Sequence, residues 1–249
     1  MIKRKKRPVK VSRVIYGSVI ALFVLAGLFF ILIVPLKNLF RNHYTDNAVE
    51  AFKNGEKTVT VPKTDVLSVD GENGEEEISG GKFFVDLGSM ADGFENLTLV
   101  GLLEIPCIEA EQPVFSESST LALRYGCGIF PGTANIGEKG LCSVWGHRDL
   151  NAPKSMLGQL QYCQDHIGES VYITTLDYVK HEYEIVECIY AKDGAVMPWM
   201  YKDTYSEEML CIVTCGFGED PARPGTYYPY NTEFIVLCKP VGTEVISYE

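Results

Sequence analysis

The chain holds no C-x-x-C pair, although it contains eight cysteines, and its four histidines (43, 147, 166 and 181) show no ligand-like pairing with cysteine. A zinc ribbon or thioredoxin-type redox site is therefore not expected, and neither a metal nor a cofactor is. Basic residues are scarce beyond the N-terminus. Residues 1–13 hold seven of the 22 lysines and arginines and no acid, leaving 15 basic against 33 acidic side chains in the rest. A body that acidic repels phosphate backbones, which excludes nucleic acid as a partner. No internal repeat is present, and no second long apolar run follows Val241.

One long apolar run is present. Val14 to Val34 reads VIYGSVIALFVLAGLFFILIV without a charge. At about 1.5 Å per residue it spans the roughly 30 Å of a bilayer core. Pro35, Lys37 and Arg41 follow it where a cleaved leader would carry small residues. The expectation is a basic cytoplasmic tail (1–13), a transmembrane signal anchor (14–36) and an extracellular remainder, oriented by the positive charges before the anchor. Residues 45–96 carry 12 acids and 4 bases and few long apolar runs. Such a stretch does not bury enough apolar surface to offset its ordering entropy, so 37–96 is expected to be a stalk, with Thr58 to Val61 as a short strand-like piece within it.

From Leu97 the pattern changes to short β-rich segments separated by Gly, Pro and Asp. The candidate strands are 97–105, 142–146, 170–175, 181–190, 209–215 and 233–241. Short helices are expected at Ser119 to Tyr125 and at Ser155 to Cys163, where Met156, Leu157 and Leu160 recur at helical spacing. The fold class is mostly β, a closed or nearly closed barrel over 97–243 with a short tail at 244–249. Cys107, Cys142, Cys188, Cys211 and Cys238 lie inside apolar runs. Core packing is favoured for them over disulfides.

Two strand ends deliver reactive side chains as the chain leaves the sheet. SVWGHRD (143–149) presents His147 after Gly146, and CIVTCGFG (211–218) presents Cys215 before glycines. A thiol is mostly protonated near neutrality and only its thiolate attacks a carbonyl, so it needs a partner that takes or holds a proton and later returns one to a leaving amine. A cation nearby is also needed, to offset charge on the tetrahedral intermediate. Trp145 and Trp199 read as core aromatics, although Trp199, in VMPWMY between two strands, is also a candidate to line a peptide groove.

These segments resemble the sortases, cysteine transpeptidases that attach surface proteins to the Gram-positive cell wall. The family's T-L-x-T-C is similar to Cys211-Ile212-Val213-Thr214-Cys215, and its G-H-R to Gly146-His147-Arg148. LLEIPCIEAEQPVF (102–115) resembles its L-x-I-P segment and GIFPGTANIGEKG (128–140) its glycine-rich approach to the histidine strand. MLGQL (156–160) is similar to class B, whereas IGESVYITT (167–175) is closer to classes C and D. The lack of a second membrane segment disfavours the pilus-building class.

The resemblance implies an eight-stranded sortase-type β-barrel behind one transmembrane helix, and two-step acyl transfer. Cys215 is the implied nucleophile and His147 the acid and base. Thr214 is implied beside the substrate. The implied partners are surface proteins bearing LPXTG-like or NPXTN-like sorting signals and an amine of peptidoglycan precursor or pilin. The family places an arginine near the start of the last strand, where this chain has Glu233 or Phe234. Arg223, in GEDPAR, is the sole arginine after the cysteine, and a lobe from Gly216 to Asn231 is expected to carry it back over the site; Arg148 is held in reserve. Without that arginine the alternative is a catalytically impaired barrel acting as a surface binding or assembly module. An L,D-transpeptidase is excluded by the absence of its S-x-G-C-R context around Cys215.

Overall fold

Alternation of apolar side chains sets the architecture. In the computed structural model, which describes residues 11–63, 93–148, 157–192, 206–220, 222–229 and 231–248, the strands are β1 (Thr58–Pro62), β2 (Phe94–Ile105), β3 (Ala110–Phe115), β4 (Cys127–Ile129), β5 (Gly140–Gly146), β6 (Ser170–Thr175), β7 (Val179–Lys192), β8 (Glu208–Cys215), β9 (Gly218–Glu219), β10 (Tyr227–Tyr228) and β11 (Thr232–Val245). Two α-helices accompany them, α1 (Val11–Lys53) and α2 (Thr120–Tyr125). The Ser119 hydroxyl caps α2 by accepting from the Ala122 amide at 3.3 Å. In place of the helix expected to end at Cys163, a 3-10 helix runs Leu160–Asp165.

The main sheet is ordered β1-β2-β3-β4-β5-β8-β11-β7-β6, and β2 also pairs with β6. Eight strands, β2 to β8 and β11, therefore form a ring-like sheet. Successive residues face opposite sides. Leu210, Ile212, Phe234, Val236 and Val144 join the inner core with Leu103 and Ile105, while Cys211, Val213, Ile235, Leu237 and Leu141 form a separate cluster on the outer face. Leu97, Leu99, Leu102 and Phe115 face out elsewhere and need a cover.

Helix α1 supplies that cover. Ala48 and Phe52 are fully buried against those residues, Thr45 donates to the Tyr125 carbonyl at 3.0 Å, and Lys53 meets Glu111 at 2.6 Å. β1 then pairs antiparallel with the start of β2, from Thr58↔Thr98 to Pro62↔Phe94. Residues 41–62, read from composition as stalk, are thus drawn into the fold. The acidic average of 45–96 hides a stripe at Thr45, Ala48 and Phe52 with helical spacing. Residues 64–92 lie outside the described residues.

The expected membrane segment falls within α1. Among the described residues, no helix is long and apolar enough to cross a membrane. At the other end, β11 continues to Val245 and the Ile246 amide donates to the Tyr178 carbonyl at 2.9 Å, so Glu244 and Val245, expected in the tail, belong to the sheet.

Candidate active site

β5 and β8 run parallel and adjacent, with Trp145 opposite Val213. Parallel neighbours end at the same edge, so His147, the residue after β5, and Cys215, the last residue of β8, leave the sheet side by side. Thr214 fixes this arrangement. Its side chain is buried, and its hydroxyl donates to the Gly146 carbonyl at 2.8 Å, tying the two exits together. Gly146 itself has no room for a side chain, because a Cβ there would lie 2.7 Å from Leu157 and 2.9 Å from the Cys127 sulfur.

Cys215 is half-buried and His147 exposed. From below, the buried Gln161 of the 3-10 helix donates through Nε2 to the Cys215 carbonyl at 3.2 Å. The chain then turns away at Gly216, where a Cβ would meet the backbone of Glu233 and Phe234 at 2.8 to 2.9 Å. Glu233 stands opposite Cys215 in the register of β11, at the place where the last strand begins.

The lobe after Cys215 is a small hairpin, β9 against β10, whose Tyr228 stacks on Tyr190 of β7 at 3.6 Å between ring centroids. Arg148 pins it to the site. Its guanidinium donates to the carbonyls of Phe217 at 2.5 Å and Glu219 at 3.2 Å, while Nε is buried without a partner. Burial pulls this guanidinium below its ordinary pKa, and the charges of Tyr190, Cys215 and Asp220 push it back up. Asp220 is almost wholly buried, accepting from the Ala222 amide at 3.0 Å and from Gln164 Nε2 at 3.3 Å. Burial first, and then Asp220, raises the Tyr190 phenol.

Arg223 lies on the exposed turn of this lobe. Its amide bonds the Asp220 carbonyl at 3.2 Å and its carbonyl accepts from Thr226 at 3.1 Å. Its charge is felt at Cys188 of β7, whose thiol burial raises to about 12. The structure thus brings Cys215, His147, Thr214 and Arg148 to one edge, with Arg223 on the lobe beside them. Trp199 lies outside the described residues. Gln161 and Asp220 were not anticipated, because neither belongs to a strand end. The one available signal is that a glutamine and an aspartate stay buried only when hydrogen-bonded. Five of the eight cysteines, Cys127, Cys142, Cys163, Cys211 and Cys238, are buried.

The family model described as Sortase domain matches residues 103–241. Among solved structures, the chain is similar to sortase A of Listeria monocytogenes, at 18% identity over 60% of this chain and 91% of that one with a TM-score of 0.48. It is similar to the sortase D5 transpeptidase of Clostridium perfringens, at 24% identity over 58% and 79% with a TM-score of 0.46. Sortase C of Streptococcus pneumoniae matches at 22% identity over 59% and 72% with a TM-score of 0.47. No curated protein matches. The family match covers more than half of the chain and contains both strand exits, and on that ground this protein belongs to the sortases, a family of cysteine transpeptidases.

Proposed function

We propose that this sortase cleaves a C-terminal sorting signal of surface proteins through a thioacyl intermediate on Cys215 and transfers the acyl group to an amine of cell wall or pilin. The Cys215 thiolate attacks the signal's carbonyl carbon. As the carbon–nitrogen bond breaks, protonated His147 gives its proton to the departing amine. The acceptor amine then attacks the thioester, His147 takes the proton it sheds, and the thiolate leaves. The observation that carries this reading is the Thr214 bond to Gly146, which holds the nucleophile's strand against the histidine's.

Trp199 would contact the bound peptide, and Thr214, whose side chain is buried, would hold the strand of Cys215 beside it. For the cation facing the oxyanion, Arg148 is favoured by its unpartnered buried Nε and its electrostatic reach to Cys215. Arg223 is the second reading, supported by its place on the lobe that returns to the site. The N-terminal half of α1 serves as a single-pass anchor with its N-terminus cytoplasmic and the catalytic domain outside. Tyr16, Phe23 and Ile31 are each about 70% exposed. Apolar side chains bared around a helix call for a lipid cover.

The full chain in detergent, offered LPXTG-type and NPXTN-type peptides, tests the assignment. Acyl-enzyme trapped and mapped by mass spectrometry is expected on Cys215 and to vanish in Cys215→Ala. Acyl groups on another cysteine, or turnover surviving that substitution, would reject Cys215 as nucleophile and leave the surface binding module as the reading. In the same assay Arg148→Ala is expected to lower kcat/KM by about 10²–10³. Arg223→Ala is expected to stay within about threefold, less than 1 kcal/mol; the reverse pattern would return the oxyanion role to Arg223.

A further inference from the structure

A second group of reactive side chains lies away from both strand exits. Cys107 sits in the turn Pro106–Ile108 that joins β2 to β3, and His166 and Glu169 follow the 3-10 helix Leu160–Asp165. One ligand atom from each, the Cys107 sulfur, a His166 ring nitrogen and a Glu169 carboxylate oxygen, all fall within 4.8 Å of one another. The buried Cys163 sulfur stands 3.9 Å from that of Cys107. We propose that Cys107, His166 and Glu169 bind a divalent cation of the zinc class, with Cys163 supporting the Cys107 sulfur from the core.

The donor set selects the cation. A thiolate and an imidazole favour borderline-soft ions such as Zn2+, whereas calcium and magnesium require several oxygens. Two thiolates on one tetrahedral zinc stand about 3.8 Å apart, given a zinc–sulfur bond of about 2.3 Å, so Cys163 already lies near the distance of a fourth ligand. The site is also built before any ion arrives. The His166 amide bonds the Cys163 carbonyl at 3.0 Å and the Glu169 amide the His166 carbonyl at 3.1 Å. β7 holds this turn at both sides, through Gly168 to the Ile185 carbonyl at 2.8 Å and Ile185 to the Glu169 carbonyl at 2.9 Å. Glu169 is about half exposed and His166 about one-third, which leaves a path from solvent.

The same 3-10 helix supports the nucleophile. Gln161 holds the Cys215 carbonyl and Gln164 holds Asp220. A cation clamping Cys107 to His166 therefore fastens the helix on which the catalytic cysteine rests, and its role is structural. Contrary to the expectation that no histidine pairs with cysteine at ligand-like spacing, Cys163-x-x-His166-x-x-Glu169 sets three donors along one turn. The partner Cys107, 56 residues away, is brought to it by the fold alone.

Co2+ titrated into the reduced, metal-free full chain in detergent tests the proposal. One equivalent is expected to give tetrahedral d–d absorption with a thiolate-to-cobalt charge-transfer band, both displaced by Zn2+. Cys107→Ser and His166→Ala are expected to abolish the band, and His43→Ala, on α1, to leave it intact. If either of the first two fails to fold, Glu169→Gln at an exposed position is expected to weaken binding by at least about tenfold. Absence of the band in the parent chain, an octahedral spectrum without sulfur character, or a band that survives these substitutions would overturn the site.

Discussion

At the scale of single residues, Thr214 carries a consequence that its place beside Cys215, the proposed nucleophile, does not suggest. Its hydroxyl spans from β8 to the carbonyl of Gly146, one residue before His147, inside a region closed to water. Thr214→Val keeps the shape and removes the donor, leaving that carbonyl unpaired at a cost of about 1–3 kcal/mol. Because the bond joins the two exits, the loss is expected to fall on kcat through a displaced His147 as well as on thermal stability. A variant that loses stability but keeps full kcat would show that the bond serves only the fold. The placement of Cys215 and His147 at strand exits was legible from sequence because each stands where an apolar run breaks. The bonds of Arg148 to the carbonyls of Phe217 and Glu219 were not legible, because those partners lie about 70 residues on, where no local pattern announces them.

At the scale of elements, α1 has two duties divided near Arg41. Its earlier half is apolar on every described side, while its later half buries Ala48 and Phe52 on β2, β3 and α2. Phe52→Ala opens a cavity under a side chain with no solvent exposure and is expected to cost about 3–5 kcal/mol. Chemical denaturation of the full chain checks this, and a loss below about 1 kcal/mol would mean the helix merely rests on the sheet. The strands were legible where alternation was strong, as in β6, read at 170–175 and found at Ser170–Thr175. β1 and the docked half of α1 were not, since both lie in a stretch whose acidic average outweighs a few apolar positions. β4 has only three residues, too few for a period to show. The lobe's hairpin rests on two-residue strands held by Arg148 and by the Tyr190–Tyr228 stack, which are tertiary causes.

At the scale of the whole molecule, the unpaired thiols set a limit on the alkaline side. Burial pushes Cys127, Cys142 and Cys211 up to about 12 from an ordinary value of 9.0, with neighbouring charges adding to the shift at Cys142. Between those values the unfolded chain has lost protons that the folded chain keeps, so stability falls as pH rises. Each thiol contributes a slope of about 1.4 kcal/mol per pH unit. These three give about 4 kcal/mol per unit, and Cys163, Cys188 and Cys238, raised as well, add to it, against a typical total of about 5–15. Tyr183, raised by burial and by its bond to Glu208, adds a contribution of the same sign above pH 10. The folded chain is therefore expected to unfold cooperatively within a few pH units above 9, under reducing conditions where no disulfide forms. Cys211→Val, which keeps the volume on the outer face of β8, should flatten the slope by about 1.4 kcal/mol per pH unit while leaving neutral stability within about 1.5 kcal/mol. Urea midpoints measured from pH 8 to 11 decide the matter: a flat profile would mean that the buried thiols reach water before the chain unfolds.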